Sequence, residues 1–405
     1  MKRSIPCIFF LLALLAPALL PGQQPGFPSG NRGSSSSART GKAEQNEIEL
    51  DTFDIFYFFA DNPNQEIPFS DSTLGNYFRQ YDPVRKRDLD YRHLGILGSA
   101  HQPIVFEAAW RRGFDVGLHQ YDLYMTTGDE LPFYRIERPY SNVSYTMGSE
   151  QADGYTTAQF SRNFANGLNY SLDYKRITQF GTQSQFPNQN NRNTAFTNGL
   201  RYESSNGRYD GFFSFAANTI QQEDNGGIRR EPIAQGQFSS PSSAEVFLGS
   251  ARTRHAHREF SYTHYYRFGG GQDSIRGTRR SYTISHQAVL NNSTYKYHDE
   301  YDVAQDSSFY NAYPALLPDV RGTRLYFKHR KLENSFRLAT FKLGRSDEEM
   351  AKNQRDLLEV GMVHSLHHIE EASADTTLSN LFLTGKYRFN PSERLRINLY
   401  GHFGL

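Results

Sequence analysis

From about Tyr140 onward the chain alternates with a period of two, and the second face is polar. In "LNYSLDYK", Leu168, Tyr170, Leu172 and Tyr174 share one face, and Asn169, Ser171, Asp173 and Lys175 share the other. Successive side chains of a strand point to opposite sides, so this is a strand pattern. "YDGFFSFAANT" sets Tyr209, Gly211, Phe213, Phe215 and Ala217 against Asp210, Phe212, Ser214, Ala216 and Asn218. "LFLTGKYRF" sets Leu381, Leu383, Gly385, Tyr387 and Phe389 against Phe382, Thr384, Lys386 and Arg388. In the last stretch, "RLRINLYGHFGL", Leu395, Ile397, Leu399 and Phe403 oppose Arg396, Asn398, Tyr400 and His402. The second face carries charges and amides too often for a dry core. One stripe calls for hydrocarbon and the other for water, the dyad of a transmembrane β-barrel.

Composition agrees. Only 37% of the 405 residues are hydrophobic, below the roughly 45–50% of an ordinary soluble domain, yet aromatics reach 14%. A thin greasy wall around a wet interior accounts for both figures. The net charge of +1 gives no pull toward nucleic acid. After residue 22 no run of about 20 apolar residues exists, so a helix cannot cross a bilayer, and only a closed sheet leaves no backbone unpaired there.

Strands are expected to begin near 140, 154, 168, 195, 208, 257, 281, 332, 357, 379 and 394. "FANGLN" (164–169), "SSNGRY" (204–209) and "NPSER" (390–394) read as tight turns, and 181–193, 222–256 and 299–322 as longer loops. The connections at 269–280 and 344–356 are long for short turns. The fold expected is all-β: an antiparallel up-and-down transmembrane barrel with eleven strands visible. Single-chain bacterial barrels have even strand numbers. An odd count ending on Leu405 leads to the expectation that the sequence is truncated at its C-terminus.

Four segments are expected. Residues 1–22 ("MKRS" followed by "CIFFLLALLAPALL") read as a secretory signal peptide. It contains Cys7, the one cysteine, so the mature chain would carry no thiol. Residues 23–48 are a Gly/Ser/Pro/Gln-rich linker, 49–138 a periplasmic or plug-like segment, and 139–405 the barrel.

Three stretches resemble the putative porin family of Bacteroidota outer membranes: "LDTFDIFYFFADNP", "YRHLGILGSAHQPIVFE" with "RGFDVGLHQYDLY", and "ERPYSNVSYTMGSEQADGYTTAQFSRNFANGLNYSLDYKRI". The resemblance spans most of residues 49–405. It implies an outer-membrane barrel of Gram-negative cells, exported by the secretory pathway, inserted by the barrel-assembly machinery and passive in transport. It implies no catalytic residue.

Candidate sites are few. "HSLHHIEE" holds His364, His367, His368, Glu370 and Glu371, but His364 and His368 share one strand face and His367 takes the other. The run reads as a strand end rather than a metal site. "RHAHRE" puts His255 and His257 on one face at a strand start. "FGGGQDSIRG" (268–277) lacks the Lys-Ser/Thr ending of a phosphate loop. With no nucleophile motif, neither enzyme activity nor a cofactor or metal is expected. Pore lining falls to Asn169, Asp173, Lys175, Lys386, Arg388, Arg396 and Asn398. The partners expected are outer-membrane lipid and small polar solutes, which would diffuse through the lumen. The alternative is a surface-exposed adhesion or glycan-binding barrel acting through its long loops.

Overall fold

A computed structural model of the chain describes residues 55–63, 65–69, 83, 91–106, 112–148, 153–180, 187–228, 244–269, 279–300, 309–310, 312–313, 318–319, 322–343, 356–371, 374–392 and 395–405. The expected signal peptide and linker, and the glycine run at 270–278, lie outside these residues. Five short strands come first: β1 (Phe56–Phe58), β2 (Ile67–Pro68), β3 (Tyr91–His93), β4 (His101–Pro103) and β5 (Phe133–Arg135). A long antiparallel sheet comes next. It comprises β6 (Tyr140–Met147), β7 (Gly154–Asn163), β8 (Leu168–Phe180), β9 (Asn190–Glu203), β10 (Tyr209–Glu223), β11 (Arg252–Gly269), β12 (Arg279–Asp299), β14 (Gly322–Leu343), β15 (Asp356–Glu371), β16 (Asp375–Ser392) and β17 (Leu395–Gly404). The two-residue β13 (Pro318–Asp319) pairs with β14.

The sheet order is the chain order, β6 to β17, so this is an up-and-down wall of eleven strands. Every expected strand is present. Several begin earlier than the alternation suggests: β9 at Asn190, β11 at Arg252, β14 at Gly322. At the starts of β9 and β11 both faces are polar, and near the start of β14 the apolar run Leu325, Tyr326 and Phe327 falls on both faces, so in each the period-two signal is lost while pairing continues. β15 and β16 meet in a tight hairpin, with the Glu371 N–H donating to Ala374 O at 2.8 Å. β12 and β14 reach 21 and 22 residues, where a membrane crossing needs about 9–11.

The turns form as their residues dictate. After β7 the chain reverses through Asn166 and Gly167, at φ +69° and +77°. A Cβ at Gly167 would also strike Glu203 O, so only glycine fits.

Pairing carries the alternation across the sheet. Phe213, Phe260, Ile284, Phe336, Leu338, Val360 and Leu383 share one face and are all exposed. The opposite face holds Asn169, Asp173, Asn193, Asp210, Asn218, Gln222 and Glu259, all buried. The exposed apolar band slides along the register. Tyr174, Phe196 and Ala217 begin a cross-strand row that continues through Arg258, Asn292, Arg330 and His368 to Thr377. The row starts apolar and ends polar, so the band descends toward the 164–167 turn as strands succeed one another. Tilted strands in a barrel wall produce this slip.

Candidate functional site

The buried polar face is where the chain brings most of its chemistry together. The chain N-terminal to the sheet lies against it. Gly98 O accepts from Asn193 Nδ2 at 2.6 Å and from Gln222 Nε2 at 2.7 Å. Tyr121 Oη donates to Gln222 Oε1 at 2.8 Å. Thr126 is gripped at both ends: its N–H donates to Asn218 Oδ1 at 3.0 Å, and its carbonyl accepts from Asn218 Nδ2 at 2.8 Å. The Gly128 N–H donates to Glu259 Oε1 at 2.7 Å, and a side chain at Gly128 would collide with Ser214. Tyr265 Oη donates to Ala60 O at 2.6 Å. Amides at inward positions suit this task, because one side chain both donates to and accepts from a backbone.

Apolar residues interrupt the polar face where the segment rests. Phe58, Ala60, Leu131 and Phe133 pack on Phe212 and Tyr265. Tyr121 and Tyr124 pack on Tyr155, Ile177 and Ile220. Beside the first cluster, Asp210 is fully buried and accepts from Arg201 through Nε and Nη2, both at 2.9 Å. The Arg201 guanidinium lies 4.6 Å from the Phe58 ring centre. A charge with that many fixed partners stiffens the wall under the segment.

Asp129 sits at the tip of this packing. Its carboxylate accepts from Gln287 Nε2 at 2.9 Å, and Gln287 in turn accepts from Arg337. Burial raises its carboxyl to about 6; Glu259 and Asp61 add to the rise, and Arg337 and the Gln287 hydrogen bond oppose it. Between segment and wall lies a cavity of about 540 Å³, lined among others by Asp61, Asp129, Glu130, Tyr155, Lys175 and Asn193.

The expected pore-lining residues fall on the inward face by register. Asn169, Asp173 and Lys175 stand on β8, Lys386 opposite Glu359 and Arg388 on β16, and Asn398 opposite Arg388 on β17. The side chain of Arg396 lies outside the described residues. Asn169 is covered by the N-terminal chain, donating to Tyr134 O at 3.2 Å. Asp173 is buried and pairs with Lys175 at 2.7 Å. Lys175 borders the cavity, whereas Lys386, Arg388 and Asn398 lie far along the sheet and do not join it.

The histidines separate as their spacing requires. His364 and His368 face outward; His367 faces inward and stacks on His329 with 3.0 Å between His329 Nε2 and His367 Nδ1. Phe114 places its ring edge on to both. His255 is buried between Tyr121 and Tyr295, and His257 Nδ1 lies 2.7 Å from Ser293 Oγ. No grouping among the described residues suits a metal ion.

The sequence reading missed Asn193, Asn218, Gln222, Glu259, Gln287 and Arg337 as gripping residues. Their inward parity was visible; the N-terminal partners of the first five, 92 to 158 residues upstream, were not.

An apolar outer band, a polar inner face and an up-and-down sheet describe a membrane barrel wall, and comparison with known families agrees. A family described as Putative porin matches residues 55–405. The chain belongs to the putative porin family. It is therefore a porin-like outer-membrane β-barrel chain, and the match includes the N-terminal segment along with the wall. No curated protein matches it, and no solved structure does. Membership of a porin family points to a channel rather than an enzyme.

Proposed function

We propose that this porin family member lets small polar solutes diffuse passively across the outer membrane, and that the described residues between 55 and 138 sit in its lumen as a plug that narrows the path. The observation that carries the reading is the cavity between plug and wall. It is bordered by Lys175 on one side and by Asp61, Asp129 and Glu130 on the other, with Phe59, Leu123, Met125 and Ile177 between them, so a solute there would meet mixed charge set into an otherwise apolar lining. The expected outer-membrane location and secretory export belong to the same reading, as does the absence of a catalytic step.

Planar-bilayer recording on the full-length protein tests it. Stepwise single-channel openings are expected, with the ion preference altered by Lys175→Gln. A barrel that inserts but stays silent, while binding immobilised glycans, would replace diffusion with surface adhesion.

A further inference from the structure

At the long-loop edge of the apolar band several outward residues are basic, set among neutral ones such as Thr194, Thr219, Gln221, Asn292 and Thr294. On β8 the outward residue after Tyr174 is Arg176; on β11 the one after Phe260 is Arg258; on β14 the one after Leu332 is Arg330. One or two outward positions further out stand Arg192, Arg254 and Lys296. Gln221 lies between Arg192 and Arg254, and Arg254 is directly opposite Lys296 in the β11–β12 register. Like charges facing each other across a strand pair are unfavourable. Such an arrangement calls for an anion from outside the chain.

The chain itself supplies almost none. On the outward face of β8 to β14 the one described acid is Glu223, which is held by Arg252 at 3.6 Å and by Asn190. Glu370 on β15 serves Lys328 and Arg330, at 2.9 and 3.7 Å. Among the described residues, Arg176, Arg192, Arg254, Arg258 and Lys296 have no carboxylate within 4 Å; all five are exposed. Inward-facing Arg201, by contrast, meets both Glu203 and Asp210. Lys296 Nζ lies over the ring of its cross-strand neighbour Tyr326, 5.2 Å from the ring centre.

We propose that this outward collar, Arg176, Arg192, Arg254, Arg258, Lys296 and Arg330, binds the phosphate groups of lipid headgroups in the outer leaflet. The proposal rests on the reading that the apolar band faces lipid, with its long-loop edge outermost. Short turns mark the inner side of such barrels and longer loops the outer side. A guanidinium at that edge reaches a headgroup phosphate bidentately while its stem stays on hydrocarbon. Several arginines on one wall would hold a shell of anionic lipid in register with the band.

The test uses the full-length protein in vesicles of phosphatidylcholine alone and of phosphatidylcholine with diphosphorylated lipid A. The readout is the midpoint temperature of unfolding. Lipid A should raise it, fully dephosphorylated lipid A should not, and inorganic phosphate at equal phosphate concentration should not. The double variants Arg254→Gln/Lys296→Gln and Arg176→Gln/Arg258→Gln should each lose at least half of the rise, keeping the wild-type midpoint in the neutral vesicles. The charge-keeping Arg254→Lys should retain most of it. Equal midpoints in both vesicles, or variants that keep the full rise, would overturn the proposal; so would a rise reproduced by free phosphate. Loss of channel activity with the lipid effect intact would sink the diffusion reading alone. Failure to insert into either vesicle would sink the outward-face assignment beneath both.

Discussion

Asp129 is the side chain through which pH is expected to act on the docking of the N-terminal segment. Its carboxyl is buried beside Gly128, whose N–H is held by Glu259, so two acids share a small space. Its pKa rises from the ordinary 3.8 to about 6 in the folded chain. A raised acid binds its proton more tightly when docked than when released. Docking therefore strengthens as pH falls from above 6 toward 4, and weakens as pH rises through 6. The groups facing it are Glu259 on β11, Gln287 on β12, Arg337 on β14 and Asp61 near β1; the last adds to the raising, and Arg337 limits it. A shift of this size corresponds to about 3 kcal/mol at most. Hydrogen exchange of the Gly128 amide should be slower at pH 5 than at pH 8 after correction for intrinsic rates. Asp129→Asn should flatten the difference. A wild-type protection factor that does not move between the two pH values would rule the coupling out.

At the scale of the strand, side-chain depth decides what a substitution costs. Phe336 lies mid-band on the exposed face of β14, between His286 on β12 and Met362 on β15. Phe336→Arg would place a charge among lipid tails and should cost about 2–4 kcal/mol of barrel stability. Thr294, outward on β12 between Ala256 and Lys328, lies beyond the band. Thr294→Arg should cost about 0–1 kcal/mol. Unfolding in urea from detergent micelles or vesicles would compare the two, and equal costs would mean that the exposed face does not meet a bilayer. These positions were legible in the sequence, because Phe336 and Leu338 alternate with Ser335 and Arg337 as lipid-facing and wet residues must. The strand ends were less so: where both faces are polar, as in Arg252–His257, no hydrophobic contrast marks the start of β11, although Thr253 and His255 are buried.

At the scale of the whole chain, the N-terminal segment was the least legible part. Its own strands are two or three residues long, too short to show a period. Its docking sites on the wall, Phe212, Ile177 and Ile220, look in the sequence like faults in a polar stripe. They are apolar because they meet Phe133, Tyr121 and Tyr124 rather than water. The grip around them is hydrogen-bonded, and Asn218 is its centre: it is buried and makes two bonds to the backbone of Thr126. Asn218→Ala leaves a buried N–H and a buried carbonyl without those bonds, at about 1–3 kcal/mol for each group. If docked and released plugs interconvert, about 3 kcal/mol raises the released population by roughly a hundredfold, since each 1.4 kcal/mol is a factor of ten. The wall should survive, because Asn218 keeps its backbone pairing with Ala195 and His257 whatever its side chain. The expected outcome is longer and larger openings for Asn218→Ala in planar bilayers, with unchanged heat resistance of the barrel on gels. An unchanged open probability, with Gly98 and Thr126 still protected from hydrogen exchange, would mean that the apolar contacts alone hold the segment, and the amides of the inner face would then lose their role as a latch.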